Sequence, residues 1–485
     1  MSGIVTLSID YNTYGKTSSK QETLDHKFVD DLFWLTFYHQ HLGQEYSGLV
    51  TASGASETGI LVRTHRGLFR PAFKNDLKGY CGPFGIGHIS SDCREPYMLQ
   101  SAFPDIYVCF DGNIINNKKI VDCFKGKGHG FERSDDVSII ARLIVETVWD
   151  KKKSVKKNVI NGLTYVSNTI QGSFALAILI KEKIYVARGL DAHTLLVIGK
   201  KKGAITVCSE STSFFNQGFE VVRDVEPGEI LTLKNGHCST IGKIPNKKKI
   251  IPQPCSFKKI YTEFPVSQTL GKSSAQVRKE MGAILAKRDI EDDFFPDVVV
   301  PVPDSGRFHA IGYHQEFIRQ AKLGKIPVEK IPLYDEILCK YPYSGRSYIP
   351  KNQNTRDIEA NQKIIPIVDG IYKGMIVVVV EDSVVRGTQS KNNLIPKIKA
   401  TGAREIHLRV SNPKLVGICP WGKSTKKKEE LAALDIKNNK IRTDKEIAAI
   451  LGINSVKFCT VDDIGKATGI EVTHLCTDCS RLKSK

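Results

Sequence analysis

The sequence IVVVVEDSVVRGTQS, residues 376–390, decides the fold of the second half of this chain. It opens with five β-branched apolar residues, Ile376 to Val380, which predict a strand buried on both faces, as in a parallel sheet. Glu381 and Asp382 follow at the carboxyl end, where α/β sheets bind their ligands. Small residues then precede a helix-compatible run, and such a loop offers backbone N–H groups to a phosphate. The stretch therefore predicts a site for a phosphorylated sugar.

The same stretch resembles the phosphoribosyl-diphosphate (PRPP) binding motif of type I phosphoribosyltransferases, in the VVEDSVVRGT form of the amidophosphoribosyltransferases. An ordinary core strand with a charged turn is the alternative, but such a turn needs no paired acids beside a phosphate loop. The resemblance implies that PRPP is bound by Glu381, Asp382, Ser383, Arg386, Gly387, Thr388, Ser390, Arg346 and Lys340. It implies that Mg²⁺ is held by Ser305, Glu381 and Asp382, although the family usually has Asp at position 381.

Flanking segments continue an alternation of strands and helices that predicts a parallel sheet. A helical pattern at Ala275–Ala286 precedes an apolar strand at Val298–Val302. The turn at 303–306 resembles the pyrophosphate-side loop of the same family, and Tyr343–Tyr348 resembles the loop that closes over bound PRPP. A further strand is predicted at Ile406–Val410.

Composition places the chain among globular proteins. Its 485 residues exceed one ordinary core and predict two or three domains. The formal net charge of +18 lies largely in short lysine clusters without a nucleic-acid-binding motif, so we interpret it as solvated surface and expect no nucleic-acid partner. No apolar run is long enough to cross a membrane and no signal peptide is recognisable, which predicts a cytoplasmic protein.

The first half of the chain alternates short apolar strands with helical patterns at Asp25–His41 and Val137–Trp149. This predicts two sheets with helices, an α+β fold, from about residue 2 to about 240. An ordered series of short motifs resembles the class II glutamine amidotransferase (N-terminal-nucleophile) domain of amidophosphoribosyltransferases. The motifs are SGIV at 2–5, HLGQE at 41–45, FGIGH at 84–88, DGN at 111–113, SDD at 134–136 and SES at 209–211.

We therefore predict an α+β N-terminal-nucleophile sandwich followed by an α/β type I phosphoribosyltransferase domain. The expected divisions are an amidotransferase-like domain at 2–240, a phosphoribosyltransferase domain at 253–425 and a helical C-terminal tail at 426–485 with cluster ligands. The resemblance also implies a homo-oligomer and a nucleotide as feedback inhibitor.

The glutaminase of this family uses an N-terminal cysteine, whose α-amino group is the base and whose thiolate attacks the glutamine amide. Here Ser2 takes that position, and it becomes the first residue if Met1 is removed. Asp111 replaces the asparagine of the oxyanion motif, where a negative charge opposes a developing oxyanion. Ser90 replaces an arginine that holds the substrate carboxylate. The catalytic positions implied by the resemblance are Ser2, Asp111, Gly112 and Asp135.

Closely spaced cysteines in a protein expected in a reducing compartment favour metal or cluster ligands over disulfides. Cys476 and Cys479 form a C-x₂-C pair, and with Cys255 they resemble the [4Fe–4S] ligands of the iron–sulfur amidophosphoribosyltransferases. Cys419 is the candidate fourth ligand, because the family position itself aligns most simply with Lys414. A structural zinc site, or thiols without any metal, are the alternatives.

The implied activity is formation of 5-phosphoribosylamine from PRPP and a nitrogen donor, the first step of purine (IMP) synthesis in the family. A single Cys→Ser change could be an engineered trap, but several departures in one site indicate a glutaminase that has decayed or changed substrate. Ammonia is then expected as the donor in preference to glutamine. The alternative is a catalytically reduced paralogue that binds PRPP or nucleotides and regulates a partner.

Overall fold

The computed structural model describes residues 2–15, 21–53, 59–101, 104–145, 149–342, 362–385, 387, 390–422, 425 and 427–482. The chain divides into two compact units. The first comprises Met1–Cys255 with Val266–Gly271, and the second comprises Ser256–Pro265 with Lys272–Lys485. None of the helices in the described ranges is both long and apolar enough to span a bilayer.

The first unit is built mainly of antiparallel strands. The strands are β1 (Ser2–Ile9), β2 (Tyr46–Ala52), β3 (Ile60–Arg66), β4 (Phe84–Ser90), β5 (Tyr97–Leu99), β6 (Ile106–Ile114), β7 (Gly172–Ile180), β8 (Lys183–Arg188), β9 (Val197–Lys201), β10 (Ala204–Cys208), β11 (Glu220–Asp224), β12 (Glu229–Lys234), β13 (His237–Lys243) and β14 (Gln268–Thr269). The helices are α1 (Gln21–Phe37), α2 (Phe69–Phe73), α3 (Asn117–Gly126), α4 (Asp136–Val145) and α5 (Val155–Thr169). Two sheets result, with strand orders β11-β9-β10-β1-β4-β2-β3 and β13-β12-β8-β7-β6-β5.

Strand β1 shows how the sequence builds the layers of this unit. Successive side chains of a strand point to opposite faces of the sheet. Val5 and Leu7 pack with α1 in one apolar cluster, whereas Ile4 packs against residues of the second sheet in another. A third cluster joins the outer face of the second sheet to α3, α4 and α5. The two sheets therefore face each other between outer helices, and the predicted α+β sandwich is confirmed.

The second unit is an α/β structure. Its strands are β15 (Lys272–Ser273), β16 (Val298–Pro301), β17 (Leu333–Tyr334), β18 (Leu338–Lys340), β19 (Ile364–Pro366), β20 (Ile376–Glu381), β21 (Glu405–Val410), β22 (Leu434–Asp435), β23 (Lys440–Ile441) and β24 (Ser455–Phe458). Its helices are α6 (Ser274–Glu291), α7 (Arg307–Lys322), α8 (Ile395–Ala400), α9 (Asp444–Leu451) and α10 (Val461–Thr468). Short 3₁₀ or π turns lie at Lys258–Thr262, Val328–Lys330, Ser390–Leu394, Lys428–Glu430, Val472–His474 and Asp478–Ser480.

The predicted strand β20 is the centre of a five-stranded sheet with order β17-β16-β20-β21-β24, in which every pairing is parallel. Val377 and Val379 pack in a cluster with α8 and α9 on one face. Val378 and Val380 pack with α6 and α7 on the other face. Both faces of the strand are covered by helices, so the continuous apolar run of the sequence has the structure that was expected of it.

The C-terminal segment differs from the predicted helical tail. Residues 426–485 contain α9 and α10, but they also contain β24, which pairs in parallel with β21 and forms one edge of the main sheet. The segment is therefore an integral part of the second unit. Sequence pattern did not indicate β24 because its four residues, Ser455–Phe458, include only two apolar side chains.

Candidate active sites

The carboxyl end of β20 brings predicted PRPP residues of the second unit together. Glu381 ends the strand and Asp382, 2% exposed, follows it. The Asp382 N–H donates to Glu381 Oε1 at 3.2 Å, and Ser383 Oγ donates to Asp382 Oδ2 at 2.6 Å. Burial and the adjacent Asp382 carboxylate raise the pKa of Glu381 well above its usual range. Glu381 is half-buried, and a cation bound beside the two carboxyl groups would favour its ionised form.

The turn that follows β16 lies beside this acid pair. The Val302 N–H donates to Val380 O at 2.9 Å. A Cβ atom on Gly306 would lie 2.4 Å from the same carbonyl oxygen, so the close approach requires glycine. Ser305, the third predicted Mg²⁺ residue, is in this turn, directly before Gly306.

Two cationic side chains contact Asp304 in the same turn. Lys340, the last residue of β18, forms an ion pair with Asp304, and Arg307 lies 3.2 Å from the other oxygen of that carboxylate. Arg307 also binds Glu336, with an Nη2–Oε2 distance of 2.7 Å. Asp304 belongs to the turn at 303–306 that resembles the pyrophosphate-side loop, but neither Asp304 nor Arg307 was named as a predicted site residue.

The predicted phosphate loop is partly described. Gly387 is buried, and a Cβ atom on it would lie 3.2 Å from Ala432 Cβ. Ser390 begins the helical turn that continues into α8. Arg346, Arg386 and Thr388 lie outside the described residues, as does the segment Tyr343–Tyr348.

The backbone at the end of β21 supports the acid pair. The Ser411 N–H donates to Glu381 O at 3.0 Å, and the Asn412 N–H donates to Asp382 O at 2.7 Å. These bonds extend the parallel pairing beyond the last residue of β20. They fix the backbone from which the Glu381 and Asp382 side chains project.

In the first unit, Ser2 and Asp111 are in direct contact. Ser2 Oγ lies 2.8 Å from Phe110 O and 3.1 Å from Asp111 Oδ1, so the hydroxyl donates its proton to one or the other. The Ser2 N–H donates to the same Oδ1 at 3.3 Å. Both side chains are buried, at 7% and 5% exposure. The carboxylate is thus placed against both the hydroxyl and the nitrogen of the predicted nucleophile position.

Ser90 and Gly112 lie beside Ser2 and Asp111, and neither carries a positive charge. Ser90 is the cross-strand partner of Ser2, and its Oγ accepts the N–H groups of Asp92 and Cys93 at 3.0 and 3.1 Å. A Cβ atom on Gly112 would lie 2.1 Å from Ser173 O of the neighbouring strand, so glycine is sterically required there. Ser90 therefore closes a local turn, where the family arginine would bind a carboxylate.

Asp135 has its own partners at the start of α4. Its Oδ1 accepts the Ser138 N–H at 3.1 Å, which caps the helix, and its Oδ2 accepts Arg133 Nε–H at 2.7 Å. Asp135, Arg133, Cys93 and Arg94 line a cavity of about 620 Å³. Because Arg133 already binds the Asp135 carboxylate, the ammonium group of a bound amino acid would have to compete with Arg133 for it.

Candidate cluster cysteines of the second unit lie in neighbouring segments. The N–H groups of Val416 and Gly417 donate to Cys479 O at 2.9 and 3.0 Å, which holds the segment leading to Cys419 against the C-x₂-C loop. Cys476 and Cys479 are each 7% exposed. Two predicted ligand segments are thus adjacent within this unit.

The third predicted ligand, Cys255, is followed directly by Ser256, which contacts the C-x₂-C loop within the second unit. Ser256 donates to Cys476 O through its N–H at 3.2 Å and its hydroxyl at 2.8 Å. These two bonds tie the backbone after Cys255 to the C-x₂-C loop within the second unit.

The folds of the two units together define a class of protein. The second unit has an acid pair at the carboxyl end of a central parallel strand, where α/β sheets bind their ligands. A sandwich of two sheets whose first strand begins at a nucleophile position is an N-terminal-nucleophile amidotransferase fold. Residues 89–216 match the sequence profile of a glutamine amidotransferase domain.

Relatives match over most of the chain. The amidophosphoribosyltransferase of Methanocaldococcus jannaschii is 30% identical over 473 residues, covering 92% of this chain and 92% of that protein. That of Methanothermobacter thermautotrophicus is 31% identical, covering 93% and 90%. Amidophosphoribosyltransferase 1, chloroplastic, of Arabidopsis thaliana is 30% identical, covering 91% and 73%.

Solved structures share the fold. The glutamine PRPP amidotransferase from B. subtilis complexed with ADP and GMP aligns with a TM-score of 0.79 and 25% identity, covering 99% of this chain and 95% of that chain. A structure described as the allosteric regulatory enzyme of purine biosynthesis aligns with a TM-score of 0.80 and 26% identity, with the same coverage. This chain belongs to the amidophosphoribosyltransferase family.

Proposed function

We propose that this chain joins ammonia to C1 of PRPP, forming 5-phosphoribosylamine and releasing pyrophosphate, the first step of purine synthesis in its family. The observation that carries the proposal is a contrast between the two sites. Glu381, Asp382 and Ser383 keep the acids and hydroxyl of the PRPP motif at the end of β20. Ser2, in contrast, replaces the family nucleophile and contacts the Asp111 carboxylate.

The transfer step needs positioning and charge neutralisation more than covalent chemistry. Its transition state has oxocarbenium character, and the leaving group is highly anionic. Glu381 and Asp382 accept hydrogen bonds from the ribose hydroxyls, and the backbone after Ser383 binds the 5′-phosphate. Lys340 and Arg307, which pair with Asp304, would neutralise the pyrophosphate.

Mg²⁺ fits the donor set of this site. The carboxylates of Glu381 and Asp382 and the Ser305 hydroxyl are hard oxygen donors. A bound cation would favour the ionised form of Glu381, whose pKa is raised by burial and by the adjacent Asp382. When bound, Mg²⁺ supplies positive charge to the pyrophosphate oxygens.

Ammonia is the proposed donor because the first unit opposes glutamine hydrolysis at two points. A serine hydroxyl is a weaker nucleophile than a thiolate, and Asp111 puts a negative charge beside it at 3.1 Å. The same carboxylate lies 3.3 Å from the Ser2 nitrogen, which favours a protonated ammonium over a neutral base once Met1 is removed.

Two further parts of the proposal concern cofactor and regulation. Cys255, Cys419, Cys476 and Cys479 are the proposed ligands of a [4Fe–4S] cluster, which would connect chain segments and take no part in the transfer. A purine nucleotide is the proposed inhibitor, since the B. subtilis relative was solved with ADP and GMP. A homo-oligomer is the proposed assembly.

The test is pyrophosphate release from PRPP and Mg²⁺ by anaerobic, iron-replete protein, with and without ammonium chloride. Release should depend on ammonium, and Asp382→Asn should lower kcat/KM for PRPP at least about 100-fold, because it removes a carboxylate from the reacting centre. Asp462→Asn, at an exposed acid of α10 in the same unit, is the control and should leave kcat/KM unchanged. Tight PRPP binding without turnover would refute the proposal and favour the regulatory paralogue.

A further inference from the structure

Three side chains with metal-binding atoms meet between the two sheets of the first unit. They are His88 on β4, Cys109 on β6 and Glu95 in the connection between β4 and β5. Their ligand atoms all lie within 4.8 Å of one another, and no other three His, Cys, Asp or Glu side chains in the described ranges do so. His88 and Cys109 are fully buried, and Glu95 is 2% exposed.

Strand register explains how residues from three segments meet. His88 is the cross-strand partner of Ile4 on β1 and of Gly48 on β2. Ile4 and Cys109 both belong to the apolar cluster between the sheets. A Cβ atom on Gly48 would lie 2.0 Å from Glu95 O, so this glycine lets the Glu95 backbone lie against the sheet beside His88.

The cluster lies one step along the strands from the Ser2 site. Side chains two residues apart on a strand share a face. Cys109 and Asp111 are related in this way on β6, and His88 and Ser90 are related in this way on β4. The hydrogen bonds of Ser2 go to Phe110 and Asp111 and not to the cluster. Asp111 nevertheless lies close enough to act on the charges of His88 and Glu95, so the two sites adjoin.

The hydrogen bonding of the cluster is incomplete. His88 Nε2 lies 3.2 Å from Glu95 Oε2, and the backbone of Phe110 lies against the same ring. Neither ring nitrogen is well aligned for a hydrogen bond with these groups. Glu95 Oε2 already accepts the Phe110 N–H at 2.6 Å. A buried imidazole with poorly aligned partners is costly, because nearly all such groups in proteins are satisfied by a well-formed bond.

We propose that His88, Glu95 and Cys109 bind one divalent transition-metal ion of the zinc class. Imidazole, thiolate and carboxylate are the donors that zinc takes in proteins, whereas magnesium and calcium prefer oxygen donors alone. A thiolate and a carboxylate carry two negative charges, so a divalent ion with a neutral imidazole makes the buried group neutral overall. The ion would link β4 to β6, the strand that carries Asp111.

The burial of the three side chains also affects their protonation. Burial raises the pKa values of Cys109 and Glu95 well above their usual ranges, and it lowers the pKa of His88 to about 3. Zinc takes cysteine as its thiolate and histidine as the neutral imidazole, so binding releases the thiol proton to solvent.

Zinc retention by the full-length protein tests the site. The protein is stripped with a chelator, reloaded with zinc chloride and desalted, and its zinc content is measured by mass spectrometry. Wild type should retain one more zinc per chain than Cys109→Ala or His88→Ala. Cys208→Ala, at another fully buried cysteine of the same unit, is the matched control and should retain as much as wild type.

Two further measurements guard against misfolding of the alanine variants. Glu95→Gln keeps the size of the side chain and an acceptor for the Phe110 N–H, and it should weaken zinc binding at least about tenfold. X-ray absorption of the zinc-loaded Cys476→Ser/Cys479→Ser protein should show one sulfur ligand at about 2.3 Å with nitrogen or oxygen ligands. Zinc content equal in Cys109→Ala and Cys208→Ala, no retained zinc in wild type, or a zinc spectrum without sulfur would overturn the proposal.

Discussion

At the scale of single residues, the proposed use of ammonia depends on Asp111 more than on Ser2. A serine can still act as an N-terminal nucleophile when a base and an oxyanion donor are present. Asp111 instead presents a carboxylate to both the hydroxyl and the nitrogen of Ser2. Its negative charge opposes the oxyanion that glutamine hydrolysis must form.

Restoring the cysteine should therefore not restore glutamine hydrolysis. Ser2→Cys alone should release glutamate from glutamine no faster than wild type, because Asp111 is still present. Ser2→Cys/Asp111→Asn should be faster than Ser2→Cys by about 10²-fold or more, the effect of one oxyanion-hole donor. Ammonia-driven pyrophosphate release serves as the control and should be the same in all three proteins. A Ser2→Cys rate equal to that of the double variant would contradict this role of Asp111.

Residues of the two sites differ in how far sequence could predict them. Glu381 and Asp382 are contiguous with an apolar run, so their place at a sheet edge follows from one local pattern. His88, Glu95 and Cys109 come from three segments with no shared spacing. The pairing of β4 with β2 and the packing of one sheet against the other bring them together, and neither can be read from a local pattern.

At the scale of elements, long apolar strands could be predicted and short or polar elements could not. Strand β20 was expected at Ile376–Val380 and extends one residue further. Helix α5 (Val155–Thr169) was not predicted, because the lysine clusters at its start were interpreted only as solvated surface. Strand β24 depends on pairing with β21, a tertiary contact that four residues of sequence do not encode.

Because β6 and β7 pair closely at Gly112, a larger side chain there should lower stability. In Gly112→Ala the new Cβ would meet Ser173 O at 2.1 Å, so the strands must move apart. We expect a loss of about 1–3 kcal/mol in the free energy of unfolding, measured by urea denaturation. Gly126→Ala is the control, because nothing lies within 4 Å of its Cβ position at the end of α3. An equal effect of the two changes would argue against the close packing at Gly112.

Asp191, in the loop after β8, should make the stability of the protein depend on pH. Burial raises the pKa of Asp191 to about 7, against a smaller opposing effect of Arg188, from an ordinary value of 3.8. Between these values the folded protein keeps a proton that the unfolded chain loses, so this group lowers stability as the pH rises. Above about pH 7 the destabilisation caused by Asp191 is constant, and below pH 3.8 it is absent.

Asp191→Asn should remove this dependence. The variant should gain stability relative to wild type from pH 4 to pH 7 by at most about 1.4 kcal/mol per pH unit, and the difference should then level off. Asp30→Asn, at an exposed acid of α1, is the control and should give no such trend. A stability difference that is flat across this pH range would show that Asp191 is not buried in its neutral form.

At the scale of the whole molecule, the two units carry different degrees of departure from their family. In the proposed function the second unit keeps the acids of the PRPP motif. In the first unit Ser2, Asp111 and Ser90 stand where the resemblance implies a cysteine, an asparagine and an arginine. The net charge of +18 suits a chain whose proposed substrate is a polyanion, since it favours electrostatic encounter. A transferase supplied by free ammonia is consistent with both observations.

Ligand-linked stability should reveal which unit binds PRPP. PRPP with Mg²⁺ at 100 times its Kd should stabilise the second unit by about 2.7 kcal/mol and raise its unfolding temperature in scanning calorimetry. Asp382→Asn should lose most of this shift, whereas Ser2→Cys should keep it. A shift that survives in Asp382→Asn would place the binding of PRPP elsewhere.

The most direct test of the central claim is the ratio of glutamine-driven to ammonia-driven pyrophosphate release by one preparation of wild-type protein. The expected result is ammonia-driven turnover, with glutamine at least about 100-fold slower, because Ser2 and Asp111 together oppose hydrolysis of the amide. Glutamine-driven release at a rate equal to or above that with ammonia would contradict the account.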